Sequence, residues 1–210
     1  MAIRTEPAGT TSAGQLPLSG AGFADPGPLG LAAFAMTTFF LSSVNAGWLP
    51  KTVEGVVLGL ALFYGGITQL LAGMWEFAKG NTFGAVAFSS YGAFWLSFWY
   101  LVAHVTLKAS ANDASKGVGF FLLGWAIFTF YMFICSLRTT GVIVAVFGFL
   151  FLTFLFLTLG ELNTSTGLTK IGGYLGVVTA AAAWYGSMAA VLNATTKRAV
   201  LPVFALDRRR

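Results

Sequence analysis

The sequence predicts an all-α membrane protein, a six-transmembrane-helix bundle with almost no soluble mass. Three observations carry that prediction. Only 9% of the 210 residues are charged and 57% are hydrophobic, against roughly 25% charged in a soluble domain; too little charge remains to cover a water-facing surface. The mean hydropathy is +0.79. Six apolar stretches, each near the ~20 residues a bilayer requires, alternate with short polar links.

The stretches follow in order. Residues 1–23 are rich in Gly, Ala, Ser, Thr and Pro, with Arg4 and Glu6 as their charges. They read as a mostly disordered tail without the basic-then-apolar pattern of a signal peptide. The six-helix membrane domain spans 24–195, with apolar runs at about 28–44, 53–77, 82–107, 117–137, 141–159 and 171–192. These runs are too long for barrel strands and do not alternate, so they are helices. Residues 196–210 form a basic tail. Six spans put both termini on one side. That side collects Arg4, Lys79, Arg138, Lys197, Arg198, Arg208, Arg209 and Arg210, against Lys51, Lys108, Lys116 and Lys170 opposite. The excess places the termini in the cytoplasm of a cell-membrane protein. The net charge of +5 is thus a topology signal. No aromatic-interleaved basic patch suggests nucleic acid; the bilayer itself is the first partner.

Side-chain spacing suggests faces. In the second span Gly55, Gly59, Leu62, Gly66, Gln69, Gly73 and Glu76 recur at fours and threes, one helical stripe. It reads either as a close helix contact or as the lining of a narrow polar path. In the third, Ser90, Ser97 and His104 fall at successive sevens. The sixth carries a small-residue seam of Gly172, Gly176, Ala180, Ala183, Ser187 and Ala190, a packing surface. Ser90-Tyr91-Gly92 and Trp184-Tyr185-Gly186 hint at two inverted three-helix halves. No acid, Lys or Arg falls at mid-membrane depth, which favours an uncharged pathway with an aromatic narrowing over a buried charge relay.

Other chemistry is missing from the sequence. No GxxxxGK[ST] loop is present, and no HExxH or GxSxG. Cys135 is the single cysteine; it forms no intrachain disulfide and reads as a small buried hydrophobe. No cofactor, metal or enzymatic role is expected.

The first span opens Asp25-Pro26-Gly27-Pro28-Leu29-Gly30-Leu31, followed by Phe34 and Met36-Thr37-Thr38. This resembles the N-P-x-P-L-G-L signature of the acetate uptake transporter family, which includes succinate–acetate permeases. Phe63 to Gln69, Glu76-Phe77 with Lys79 to Gly84, and Ala87 to Trp95 extend the likeness. The resemblance implies a channel-like protomer in a homo-hexamer, with acetate as main substrate and succinate and other short carboxylates as further ones. Proton coupling, or channel-like passage, is also implied. A hydrophobic constriction maps to Phe34, Tyr91 and Leu150. Thr37, Gln69, Ser90 and Tyr91 are then candidate pathway donors for a carboxylate, and Glu76 and His104 candidate proton-handling groups. Asp25 stands where the signature usually has Asn. An acid at an anion's doorway repels unless paired, protonated or capping the helix. A non-transporting membrane sensor or scaffold is the alternative reading.

Overall fold

The computed structural model describes residues 22–206 and is all helix apart from one isolated bridge between Thr140 and Ala205. Residues 1–21 of the expected 1–23 tail, and residues 207–210, lie outside the described residues. Helix α1 is Gly27–Asn45. The second span is composite: α2 (Gly55–Leu62), a π-turn (Phe63–Thr68) and α3 (Gln69–Lys79) run on without a break. Then come α4 (Thr82–His104), α5 (Ala111–Ser136), α6 (Gly141–Leu162) and α7 (Thr166–Thr196). Six of the resulting rods are long and apolar enough to cross a membrane.

Side-chain caps set most starts. Asn81, Ser110, Thr140 and Ser165 each accept a backbone N–H from the first turn of α4, α5, α6 and α7, filling orphan donors there. The caps explain why α5 and α7 begin earlier than the apolar runs suggest: polar first turns such as Ala111-Asn112-Asp113 are held by Ser110, whose hydroxyl accepts Asp113 N–H at 3.1 Å. Gly80 ends α3 at φ +79°, a left-handed cap that glycine adopts without a Cβ clash.

The π-turn changes the expected stripe. Its five-residue step carries the inward face from Val57 and Ala61 to Gly66, Gln69, Gly73 and Glu76, all buried, while Gly55 and Gly59 face outward. A π-turn adds a residue to one turn and so rotates everything after it. The lower half of the predicted stripe is therefore a buried face and the upper half is not. Thr68 Oγ1 donates to Phe63 O at 2.8 Å within the turn. At Gly65 a Cβ would lie 2.6 Å from Thr37 Oγ1, so α1 and the turn touch backbone to side chain. At Gly73 a Cβ would fall 3.0 Å from the Cα of Ser89. That neighbour is backbone and does not yield. Gly73→Leu is expected to cost roughly 3 kcal/mol or more by overpacking, read as loss of the monodisperse peak in fluorescence-detected size exclusion.

Of the α7 seam, Gly172 meets Leu157 of α6 and Gly176 meets Ser42 of α1, while the neighbouring Gly173 meets the backbone of Asn45 and Ala46 at the end of α1. Between α4 and α5 large aromatics fill the space, with Tyr91 against Phe128 at 5.3 Å and Phe94 against Trp125 at 5.1 Å. One expectation is corrected. Cys135 is exposed on the outer face of α5, not buried; it shares that face with Phe120, Ile127, Tyr131 and Ile134, while Gly119, Ala126, Thr129, Met132 and Ser136 are buried. The basic segment after α7 is tied to the bundle as far as residue 206. Asn193 binds Val200 and Leu201, the Tyr185 hydroxyl donates to Pro202 O at 2.8 Å, and Gly141 N–H donates to Phe204 O at 2.8 Å. Tyr185 thus anchors this strap, a different task from that of Tyr91 within the suggested repeat.

Candidate functional site

Two cavities enter the bundle from opposite ends. Cavity 1, about 350 Å³, is lined by the start of α1, the end of α3, the start of α4 and the start of α6. Cavity 2, about 300 Å³, is lined by the end of α1, by Lys51 and Glu54 just before α2, by Val118, Phe121 and Leu122 of α5 and by the far ends of α4 and α6. Only Phe34, Tyr91 and Leu150 line both. All three are buried, and the Phe34 and Tyr91 rings lie 5.7 Å apart. Helical periodicity delivers α1 to the whole length: Leu31, Phe34, Thr38, Leu41 and Asn45 all line one cavity or the other, at steps of three and four.

Tyr91 does not offer its proton to the cavity. Thr129 Oγ1 donates to Trp125 O at 2.7 Å. Its single hydrogen is used there, so at 2.9 Å from Tyr91 it accepts from the tyrosine hydroxyl. That bond fixes the ring edge-on to Phe128 and within 6.0 Å of Phe147. Tyr91 is a positioned ring here, not a free donor.

Gln69 has no such partner. It is 1% exposed, lines cavity 1, and neither Oε1 nor Nε2 is hydrogen-bonded within the protein. A buried unpaired amide costs roughly 1–3 kcal/mol per group, which a polar occupant of the cavity would recover. Across the constriction, Thr38 Oγ1 and Trp95 Nε1 are likewise buried and unpartnered, and both line cavity 2. The sequence reading overlooked these two. Thr38 lies four residues after Phe34, the same face of α1, and that spacing would have found it. Trp95 carries no comparable signal.

The other candidates fall elsewhere. Thr37 lines neither cavity; it is turned toward Gly65 and its hydroxyl donates to Ala33 O at 3.0 Å. Ser90 also lines neither. His104 is exposed beside Trp99 and Tyr100, away from both cavities. Glu76 is 1% exposed and lines cavity 1, where its Oε2 accepts from Asn81 Nδ2 at 2.8 Å. Of the signature, Asp25, Gly27, Pro28 and Leu31 line the same mouth. Asp25 Oδ1 accepts from Gly27 N–H at 2.9 Å and from Lys79 Nζ at 2.7 Å, so the acid both caps α1 and is paired. At the far mouth stand Lys51, Glu54 and Glu161, the last accepting from Ser115 Oγ at 2.6 Å. Among the described residues no group of His, Cys, Asp and Glu has metal-ligand proximity.

This arrangement has a known relative. The GPR1/FUN34/yaaH family matches the chain over residues 7–208. The chain belongs to that family. Within it, acetate permease A of Emericella nidulans is 42% identical over 86% of this chain and 66% of its own length. Ammonia transport outward protein 2 of Saccharomyces cerevisiae is 42% identical over 94% of this chain and 72% of its own. The succinate-acetate/proton symporter SatP of Escherichia coli K12 is 37% identical over 86% of this chain and 95% of its own. The solved structure of the bacterial acetate channel SatP superposes with a TM-score of 0.80 at 36% identity, covering 87% of this chain and 99% of that one. The chain spans about two thirds of the length of the fungal relatives and nearly all of the bacterial one. This member of the GPR1/FUN34/yaaH family is a multi-pass membrane protein.

Proposed function

We propose that the protein carries acetate and related short-chain carboxylates, succinate among them, through a path in each protomer made of cavities 1 and 2. One observation carries the reading: the two cavities share only Phe34, Tyr91 and Leu150, with unpartnered donors on either side of that plane. In this reading the three side chains are a dry constriction that small acids pass and larger or strongly hydrated ones do not. Gln69 Nε2 on one side, and Thr38 Oγ1 and Trp95 Nε1 on the other, bond to a carboxylate that has shed water. None of them is charged, so the anion is held without being trapped. An indole N–H only donates, which suits an anion and not an ammonium ion. The names of acetate permease A and SatP agree with this substrate class.

Glu76 is the proton-handling candidate, since it lines the path and His104 does not. Thr37 and Ser90 serve helix packing. The protein is a transporter, not an enzyme, assembled as a homo-hexamer in the cell membrane with both termini cytoplasmic. The broad apolar face of α5, including Phe120, Ile127 and Ile134, suits a neighbouring protomer or lipid.

Radiolabelled acetate should enter proteoliposomes containing the protein faster than empty vesicles, and faster still with an inward proton gradient. Uptake equal to empty vesicles across pH would overturn the transport reading; uptake indifferent to a protonophore would remove only the coupling.

A further inference from the structure

The mouth of cavity 1 holds an ion pair that passage of an anion does not by itself require. Lys79 Nζ lies 2.7 Å from Asp25 Oδ1, and the same oxygen accepts Gly27 N–H at 2.9 Å. All three residues line cavity 1. Lysine and acid are 54 positions apart, so the bundle, not a local turn, brings them together. Their side chains are 35% and 52% exposed, and pairs this exposed are weak and open readily.

Beyond its Cα, aspartate is a methylene bearing a carboxylate, in effect acetate tethered to the backbone. Here that group sits between an ammonium and an N–H at the start of α1, where positive potential collects. We propose that Asp25 is a built-in stand-in for the substrate. Its carboxylate occupies an entrance site formed by Lys79 Nζ and Gly27 N–H, and an incoming short-chain carboxylate takes that site when Asp25 swings away. The inference rests on the reading of cavity 1 as the acid's path. Further along the same cavity the buried, unpartnered amide of Gln69 stands ready to receive an anion released by Lys79. The other charged group facing the pair is Glu76. Its Oε2 is held by Asn81 Nδ2 at 2.8 Å, and its Oε1 would lie 3.3 Å from a Cβ on Gly27. The mouth therefore sets two carboxyl groups against one ammonium, which holds back capture of an anion.

Asp25→Asn keeps an acceptor for Gly27 N–H while removing the charge. In proteoliposomes the variant should lower the KM for acetate roughly threefold at low salt, the fold-change expected of one exposed pair. The gain should vanish near ~1 M salt, where the Debye length is about 3 Å. It should also vanish in Asp25→Asn/Lys79→Gln. An unchanged KM in the single variant, or a gain that survives in the double one, overturns the proposal.

A second measurement does not depend on flux. The full chain in detergent is treated with an amine-acylating reagent, and Lys79 modification is read by peptide mass spectrometry. Asp25→Asn should raise labelling of Lys79, and acetate should suppress it saturably, beyond the effect of equal chloride. Protection by acetate without any acetate flux would leave the entrance site standing and sink the transport reading. Flux with no acetate-specific protection would do the reverse.

Discussion

Tyr91→Ala is expected to join the two cavities and to raise uptake of succinate relative to acetate by about tenfold, the effect of ~1.4 kcal/mol at the barrier. The ring is one of the three side chains, with Phe34 and Leu150, that line both cavities. The same change removes a buried aromatic packed against Phe34, Trp125, Phe128 and Phe147. A loss of roughly 3–5 kcal/mol in stability accompanies such a truncation, so the variant is to be compared per folded protein. Tyr91→Phe separates ring from hydroxyl. The hydroxyl only donates to Thr129, which remains tied to Trp125 O. Selectivity should therefore stay near that of the natural protein, with a small loss of stability of about 1 kcal/mol. Competitive uptake of labelled acetate against succinate decides both. An unaltered preference in Tyr91→Ala would remove this residue from the constriction.

Gln69→Leu is the second large effect, and its sign in stability is its signature. The leucine is close to the glutamine in volume and lacks both polar atoms. Because neither atom has a partner in the protein, their loss should leave the melting temperature unchanged or raise it. Acetate uptake should nevertheless fall by about 10- to 100-fold, as when ~1.4–2.7 kcal/mol of anion binding is removed. A stable variant that transports normally would show that Gln69 does not meet the substrate. An unstable one would show that its amide had an internal role. Gln69→Glu sharpens the comparison, since a carboxylate in that position repels the acid it is meant to hold.

The family resemblance pointed to Phe34, Tyr91 and Leu150, the residues that line both cavities. Phe34 and Tyr91 stand in distinctive local runs, and Leu150 sits in a Phe-rich stretch; the fold brings all three to one plane. Gln69 stood out as the amide of an otherwise apolar span. The candidates that line neither cavity share a cause. Thr37 and Thr38 are adjacent, and composition does not say which of two neighbouring hydroxyls turns inward; a rotation of about 100° separates helix packing from the pathway. Ser90, Ser97 and His104 do fall on a common line of α4, but that line runs beside the cavities. Ser97 is exposed and bonds to Ala93 O, and His104 ends outside. A hydroxyl in a membrane helix satisfies itself on the preceding turn as readily as it meets a ligand.

What the sequence by itself determined is the set of constraints that act over a few residues or over bulk composition. Six spans follow from the length of apolar runs against bilayer thickness. The absence of charge at mid-depth follows from the same runs. What only the tertiary structure decided depends on partners far along the chain. Thr129, 38 residues away, accepts the hydrogen bond of the Tyr91 hydroxyl. Lys79, 54 residues away, neutralises Asp25 at the doorway. The π-turn at Phe63–Thr68 lets Gly65 and Gly66 approach α1 and α4 and re-aims Gln69 and Glu76. A single residue's own chemistry does not specify which way it points when the deciding contact belongs to another helix.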